Sequence, residues 1–198
     1  IINKYFSHNS KVKLQQKENG GKASALNLGF QNALGDIIIT IDADTIFKPT
    51  TISDLVKNFS DSRVAAVTGN CKIGNIHNQL LMWQHIEYVT AQNLDKRAFE
   101  ELGCITVVSG SNSAWRKSVV EQLGFYHNDT LAEDTELTIR ILNAGHKIVF
   151  EDRAISYEEG PETVKEFVKQ RFRWSYGVLQ TTWKHKKSIF SSSNKALK

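Results

Sequence analysis

The densest apolar run of the chain, IIITI at positions 37–41, has an aspartate on either side. A continuous run of branched aliphatic residues predicts a strand that is buried on both faces, as in a parallel sheet. Other apolar runs predict strands at 11–16, 64–73 and 146–156, and a strand with a turn within 104–116. A sheet is therefore expected at the centre of the fold.

Helical patterns separate these strands. Positions 20–34 predict a glycine turn that leads into a helix, and positions 48–59 predict a helix with a proline near its start. A long helical pattern covers 78–102, another ends at Gly145, and Pro161 opens the last one. The repeated order of strand and helix predicts an α/β fold, with a mainly parallel sheet covered by helices.

Two carboxylates follow the 37–41 run, at Asp42 and Asp44. With a side-chain period of two they point to the same side of the strand end, and ligands of parallel sheets bind at carboxyl ends of strands. At a separation of roughly 6 Å and an effective dielectric constant of about 20, they would repel each other by roughly 3 kcal/mol. A divalent cation shared with substrate phosphates would remove this repulsion. Alternatively, one aspartate caps the turn and the other pairs with a lysine.

Lys22 follows Gly20 and Gly21 at the start of a predicted helix. A lysine in the first turn opposes the helix dipole, so local stability does not explain it. A cation beside free backbone N–H groups suits a diphosphate. A solvated surface lysine remains an equal alternative.

Glu133 and Asp134 begin another predicted helix. Thr130 and Glu133 have the spacing of a capping box, which would give Glu133 a purely structural role. Asp134 suits either a helix-start carboxylate or a general base on a rigid element. The residues alone leave both possibilities open.

Gln170, Arg173 and Trp174 are spaced to share one face of the last helix. Trp can stack on a sugar and Arg can bind a phosphate with two parallel hydrogen bonds, so together they suit a ligand surface. The alternative is an amphipathic helix that buries the Trp and leaves the Arg in solvent.

Composition narrows the functional classes. The chain has 198 residues, 40% of them hydrophobic, and a net charge of +4. The basic residues concentrate near the C-terminus, which argues against a whole-surface nucleic-acid binder.

Cys71 and Cys104 have no disulfide-framework or zinc spacing, and a reducing compartment fits. No apolar run reaches the roughly 18 residues of a membrane span. Since Met82 is the sole methionine, we expect the sequence to be a piece of a longer protein.

The order of these motifs resembles the motif order of the inverting family 2 glycosyltransferases with a GT-A fold. The resemblance covers nearly the whole chain. It is similar in particular to the processive membrane synthases of cellulose, chitin, hyaluronan and poly-N-acetylglucosamine. The stretches AVTGN, VVSGSNSAWR and TLAEDTEL are most similar to bacterial poly-β-1,6-N-acetylglucosamine synthases. The family's opening strand, its first nucleotide-binding aspartate and its flanking membrane helices have no counterpart here.

The resemblance implies a role for each motif. It makes Asp134 the catalytic base, and Asp44 with Asp42 the residues that face Mg²⁺ or Mn²⁺ bound with the nucleotide-sugar. The donor nucleotide would be bound by Lys22, Asp42, Asp44, Gln170 and Arg173. The acceptor would be bound by Ser109, Gly110, Ser111, Glu133 and Trp174.

The resemblance also implies partners: a UDP-sugar donor, in particular UDP-N-acetylglucosamine, a growing polysaccharide and the cytoplasmic face of a bacterial plasma membrane, but no nucleic acid. The piece alone is expected to be soluble and inactive. There are three alternatives: another synthase of the same group, a non-processive relative, or a fragment that acts only as a binding module.

Two parts are expected: residues 1–160 as a partial GT-A catalytic core, and residues 161–198 as an amphipathic, membrane-interfacial helix and tail. A stripe of apolar residues recurs at helical spacing in the second part, among basic positions. The stripe consists of Val164, Val168, Phe172, Tyr176, Leu179 and Trp183. We expect Phe172 to be buried against the domain and the C-terminal turns to be exposed. Packing of the whole stripe onto the core is the alternative.

Overall fold

The apolar runs form one five-stranded sheet in the computed structural model, which describes residues 2–6 and 8–189. The strands are β1 (Ile37–Ile41), β2 (Ile46–Phe47), β3 (Val64–Ile73), β4 (Asn112–Arg116) and β5 (Lys147–Glu158). The helices are α1 (Ile2–Phe6), α2 (Gly21–Asn32), α3 (Thr51–Val56), α4 (Gln79–Val89), α5 (Lys96–Glu101), α6 (Lys117–Gln122), α7 (Glu133–Asn143), α8 (Val164–Lys184) and α9 (Lys186–Ile189). A 3₁₀ turn (Lys57–Ser60) follows α3, and a π-helical turn (Thr90–Asp95) joins α4 to α5.

The strand order is β1-β4-β3-β5-β2, and only the β3–β5 pair is parallel. The α/β class is therefore confirmed, but the expected mainly parallel pairing is wrong. The cause is the long helical segment from α4 to α5, which returns the chain to the edge where β3 ends, so that β4 runs antiparallel to both neighbours. β1, β3 and β5 nevertheless share one direction. Their carboxyl ends meet the start of β4 at a single edge.

The predicted strand at 11–16 is also wrong, because these residues form no regular structure and are exposed. No strand pairs with them among the described residues. An extended segment without a hydrogen-bonded neighbour has no sheet face on which to bury its apolar side chains.

Helices cover both faces of the sheet. One core layer lies between the sheet and helices α2, α6 and α7, and it contains Phe30, Trp115, Leu137 and Ile141. A second layer contains Leu55, Phe59, Val67 and Val149. β3 is buried along almost its whole length, including its polar residues Thr68 and Asn70.

The pairing of β3 with β5 is interrupted by an irregularity in β5. The β3–β5 register shifts between Gly69 and Asn70, where β5 bulges outward. The Asn112 amide crosses β3 and donates to the Ala154 carbonyl at 2.8 Å and to Ser156 Oγ at 2.9 Å. A Cβ at Gly69 would lie 2.3 Å from Asn112 Nδ2, so only glycine permits this crossing.

The capping box forms on α8 and not on α7. Thr163 and Glu166 exchange hydrogen bonds at the start of α8, whereas α7 begins after Ala132 with no side-chain cap. The predicted box of Thr130 and Glu133 is therefore wrong, because Thr130 lies buried before the helix starts.

The apolar stripe of α8 faces outward. Phe172 is 69% exposed, so its expected burial is wrong, and the other five members are exposed as well. α8 packs on the domain through Trp174, Gly177 and Thr181 instead. Within the described part of the chain, no helix combines the length and apolarity needed to cross a membrane.

Candidate active site

A cavity of about 580 Å³ opens at the edge where β1, β3 and β5 end and β4 begins. It brings together every site residue predicted from the sequence. These are Lys22, Asp42, Asp44, Ser109, Gly110, Ser111, Glu133, Asp134, Gln170, Arg173 and Trp174. They come from segments spread over some 150 positions of the sequence.

The two aspartates after β1 lie in a turn, not in a continued strand. β1 ends at Ile41, and the Thr45 N–H donates to the Asp42 carbonyl at 3.1 Å. Asp42 pairs with Lys22 at 2.6 Å, as the lysine alternative predicts. Asp44 is exposed to the cavity and forms no ion pair with any described residue. Of the two aspartates, Asp44 is therefore the one without a lysine partner among the described residues.

The segment Ser109–Ser111 leads into β4 and forms one wall. The Ser109 N–H donates to Thr68 Oγ1 at 3.3 Å, and the hydroxyls of Ser109 and Ser111 lie 2.9 Å apart. A Cβ at Gly110 would lie 3.0 Å from Lys22 Nζ and 3.8 Å from Asp134 Oδ2. Gly110 thus leaves room beside the backbone for both the Lys22 ammonium and the Asp134 carboxylate.

Asp134 lies in the first turn of α7 with its two oxygens in different surroundings. Oδ1 accepts the Thr135 N–H at 2.7 Å, while Oδ2 faces Gly110 and the cavity. A base needs a fixed carboxylate with one free oxygen, and this arrangement provides it. Burial, and then the charge of Asp134, raise the pKa of the neighbouring Glu133.

α8 contributes the third side of the cavity. Trp174 packs on Tyr88 and its neighbours, and the Arg171 guanidinium lies 4.3 Å from the Trp174 ring centroid. Arg173 is exposed and has no ion pair among the described residues. Gln170 Oε1 is buried without a hydrogen-bond partner there. The helix therefore presents free polar groups beside an anchored indole.

Glu158 and Lys96 are among the cavity residues that the sequence reasoning missed. Glu158 ends β5, so a carboxylate after a buried strand, the signal that singled out Asp42, could have found it. Lys96 lies inside a long helical pattern, where a lysine is ordinarily a surface residue. Only the tertiary structure reveals that it is buried.

The cavity is strongly acidic. Its cations are Lys22, Lys96 and Arg173. Its carboxylates are Asp42, Asp44, Glu87, Asp95, Glu133, Asp134, Glu158 and Glu159. Burial raises the pKa of Glu158, and the charges of Asp42 and Asp44 raise it further. A dianionic ligand group could enter this field only with a counter-cation.

The residues fit a hard divalent cation in part. Carboxylate oxygens are the ligands that Mg²⁺ prefers, and Asp44 is free to bind one. No group of three or more His, Cys, Asp or Glu side chains is arranged as a complete metal site in the described ranges. A cation here would need phosphate or water oxygens to complete its ligands.

Solved structures share this architecture. The mannosyltransferase PcManGT of Pyrobaculum calidifontis, solved with GDP-Man and Mn²⁺, matches 91% of this chain and 47% of its own, with a TM-score of 0.70 at 21% identity. GalNAc-T7, solved with UDP, GalNAc and Mn²⁺, matches 80% of this chain and 34% of its own, with a TM-score of 0.59 at 17% identity. The fold is that of the GT-A glycosyltransferases, as predicted.

Sequence comparison gives the family. Residues 37–196 match the model of glycosyl transferase family group 2. The probable glycosyltransferase YdaM of Bacillus subtilis (strain 168) is 36% identical over 179 residues, which are 89% of this chain and 43% of the relative. The poly-beta-1,6-N-acetyl-D-glucosamine synthase of Staphylococcus aureus (strain COL) is 33% identical over 178 residues, with the same two coverages, 89% and 43%. The chain therefore belongs to glycosyl transferase family group 2. It spans less than half the length of these curated relatives.

Proposed function

We propose that the protein containing this chain is an inverting β-glycosyltransferase that moves N-acetylglucosamine from UDP-N-acetylglucosamine to a growing poly-β-1,6-linked chain. One observation carries the proposal: groups suited to a diphosphate, a free carboxylate base and the serine segment share a single cavity. The named activity of the Staphylococcus aureus relative supports the choice of sugar and linkage.

The donor diphosphate lies on the β1 side of the cavity in this proposal. Lys22 and Arg173 donate hydrogen bonds to its oxygens, and Gln170 orients it from α8. Asp44, with Asp42 beside it, would hold the Mg²⁺ or Mn²⁺ that accompanies the nucleotide-sugar. When bound, the cation neutralises charge on the leaving nucleotide.

Transfer then needs one proton acceptor. Asp134 Oδ2 takes the proton of the acceptor hydroxyl as that oxygen attacks the anomeric carbon. Thr135 keeps Oδ1 occupied, so the same oxygen faces the acceptor in every cycle. The bond to the diphosphate breaks on the opposite face of the sugar, which inverts the configuration.

The acceptor lies against Ser109–Ser111 and Trp174 in this proposal. The serine hydroxyls and the Glu133 carboxyl hydrogen-bond sugar hydroxyls, while the indole stacks on a sugar ring. Arg171 holds the ring from one side. The stacking face is therefore fixed before the acceptor arrives.

The test is sugar transfer by the protein that contains this chain, with radiolabelled UDP-N-acetylglucosamine and a β-1,6-linked acceptor oligosaccharide. We expect a β-linked product by NMR and no transfer from UDP-glucose or UDP-glucuronic acid. A retained α configuration, or equal use of the three donors, would contradict the proposal.

A further inference from the structure

Lys96 is a buried cation in the wall of the cavity. It begins α5, directly after the π-helical turn, and it is 6% exposed. Buried ammonium groups are costly unless they are paired and hydrogen-bonded. The burial of Lys96 therefore requires a physical explanation, which its hydrogen bonds should provide.

Its hydrogen bonds within the described residues are incomplete. Lys96 Nζ donates to Thr68 Oγ1 at 2.8 Å, and no carboxylate lies within ion-pair distance of it in that part of the chain. An ammonium has three N–H donors, so two are left over. The Phe150 ring centroid lies 5.9 Å from Nζ and covers one side of it. The remaining donors are available toward the cavity, which Lys96 lines.

The position of Lys96 separates it from the diphosphate-binding groups. It lies against Thr68 of β3 and Phe150 of β5, whereas Lys22 pairs with Asp42 at the end of β1. β4 lies between β1 and β3 in the sheet. Lys96 is therefore on the far side of the Ser109–Ser111 segment from the Lys22–Asp42 pair.

The charges around Lys96 define the chemistry of a ligand group that it would bind. Burial lowers the pKa of Lys96, while the groups of Cys71, Glu158 and Asp134 raise it from a longer range. The cavity already has more carboxylates than cations, so an anionic sugar would be repelled. A neutral oxygen, a hydroxyl or an amide carbonyl, satisfies the ammonium without adding charge.

We propose that Lys96 is an acceptor-binding residue, whose ammonium donates to a neutral oxygen of the acceptor sugar beside Ser109. This inference rests on the proposed function, since it assumes that the acceptor lies along that segment. It adds a residue to the acceptor site and predicts that neutral sugars are preferred there.

The stability of a Lys96 variant separates binding from a structural role. A charge that is buried for ligand binding costs stability in the free protein, so replacing it with an apolar side chain of similar length leaves stability equal or higher. A lysine that holds the fold together would lower stability when it is removed. Lys96→Met is the direct variant, Lys96→Gln retains a shorter donor, and Arg97→Met is the control, because Arg97 is an exposed neighbour that pairs with Asp152.

The experiment measures three quantities for each variant: the thermal midpoint, the affinity for UDP with Mn²⁺, and the affinity for a β-1,6-linked N-acetylglucosamine pentamer, the last two by calorimetry. For Lys96→Met we expect an acceptor affinity weaker by roughly ten- to a hundredfold, the loss expected for a hydrogen bond to a charged group. UDP affinity and the thermal midpoint should not fall, Lys96→Gln should be intermediate, and Arg97→Met should match the wild type.

A lower thermal midpoint with unchanged acceptor affinity would make Lys96 structural and overturn the inference. An equal loss of UDP affinity would place it in the donor site and also overturn it. Because the pentamer titration requires no turnover, a wild-type protein containing this chain that binds the pentamer but transfers no sugar would contradict the proposed function and leave this inference standing. A wild type that does not bind the pentamer would contradict both.

Discussion

At the scale of single residues, the surroundings of the Asp134 oxygens decide how the carboxylate can act. Thr135 takes one oxygen and leaves the other toward Gly110. A carboxylate that only served the helix start would not need a free oxygen aimed into a cavity. We therefore propose that Asp134 acts as the base and not only as a helix-start carboxylate, the two possibilities that the sequence leaves open.

Replacing Asp134 tests this role. In the protein that contains this chain, Asp134→Asn keeps the shape and the Thr135 hydrogen bond but cannot take a proton, so turnover should fall by about two to four orders of magnitude. UDP affinity should stay unchanged. Asp129→Asn is the control, because Asp129 lies in the preceding loop and pairs with Lys184. Near-normal turnover of Asp134→Asn would remove the residue from the mechanism.

Glu136, two positions further along α7, ties that helix to the end of α8. It is fully buried and accepts from Arg140 at 2.8 Å, Lys184 at 2.9 Å and His185 at 3.0 Å. Burial alone would raise the pKa of Glu136, but these partners lower it to about 2. A depressed pKa in the folded state contributes stability above the unfolded value near 4.5, and this is lost as the pH falls toward 2.

The unfolding free energy should therefore decrease below about pH 4.5, with a Glu136 contribution on the order of 3 kcal/mol. Urea unfolding of the wild type and of Glu136→Gln between pH 7 and pH 3 measures the Glu136 contribution to the unfolding free energy. The variant should be less stable at pH 7 and depend less on pH. Parallel pH curves for the two proteins would show that Glu136 makes no such contribution.

At the scale of elements, the approach of α8 to the start of α7 positions the proposed base relative to the proposed diphosphate-binding groups. Gly177 of α8 packs against Leu131 and Ala132, and Gln180 Oε1 accepts the Leu131 N–H at 3.0 Å. Asp134 lies two residues after Ala132. Any displacement of α8 would thus alter the distance between Asp134 and Arg173.

Gly177→Ala should separate these helices. The new Cβ would lie 2.7 Å from both the backbone nitrogen and the Cβ of Ala132, so we expect a loss of about 1–3 kcal/mol and lower turnover. Gly29→Ala is the matched control, because Gly29 is exposed on α2 with no atom within 4 Å of the new Cβ. That change should stabilise the protein by up to about 1 kcal/mol. Equal stability of the two variants, by urea unfolding, would contradict the close packing.

The exposed stripe of α8 is the second feature at this scale. Since no described residue covers it, the alternative that it packs onto the core is wrong. An amphipathic face with aromatic residues and neighbouring lysines suits a membrane interface, and we propose that it binds one.

Flotation with anionic liposomes tests the stripe. The triple variant Phe172→Gln, Leu179→Gln and Trp183→Gln should lose binding, because it removes apolar side chains that are 66–73% exposed. Leu34→Gln, a change at a 90% exposed position of another segment, should bind like the wild type. Equal flotation of all three proteins, or of none, would exclude this helix as the binding surface.

The helices and strands were easier to predict from the sequence than the elements against which each of them pairs or packs. Residues 64–73 form a strand with the predicted bounds, and the strand is buried along almost its whole length. The direction of β4 could not be predicted, because it depends on where a helical excursion of more than twenty residues returns the chain. Periodicity likewise shows that α8 has an apolar face, but not whether the domain covers it.

At the scale of the whole molecule, strand ends and helix starts from distant parts of the sequence meet at one edge. Residues placed after strands, such as Asp42, could be predicted because that edge collects ligands in α/β proteins. Lys96 could not, since a helical lysine carries no signal of burial. The excess of carboxylates also appears only when the cavity is assembled, because the chain as a whole is basic.

We propose that the acidic cavity binds a nucleoside diphosphate together with a divalent cation. The deciding measurement is calorimetric titration of UDP into the protein that contains this chain, with Mn²⁺ and then with chelator. We predict binding with Mn²⁺, loss of binding with chelator, and loss of the Mn²⁺ effect in Asp44→Asn but not in Asp54→Asn, whose carboxylate pairs with Lys57. Equal UDP affinity with and without Mn²⁺, or no binding in its presence, would contradict the account.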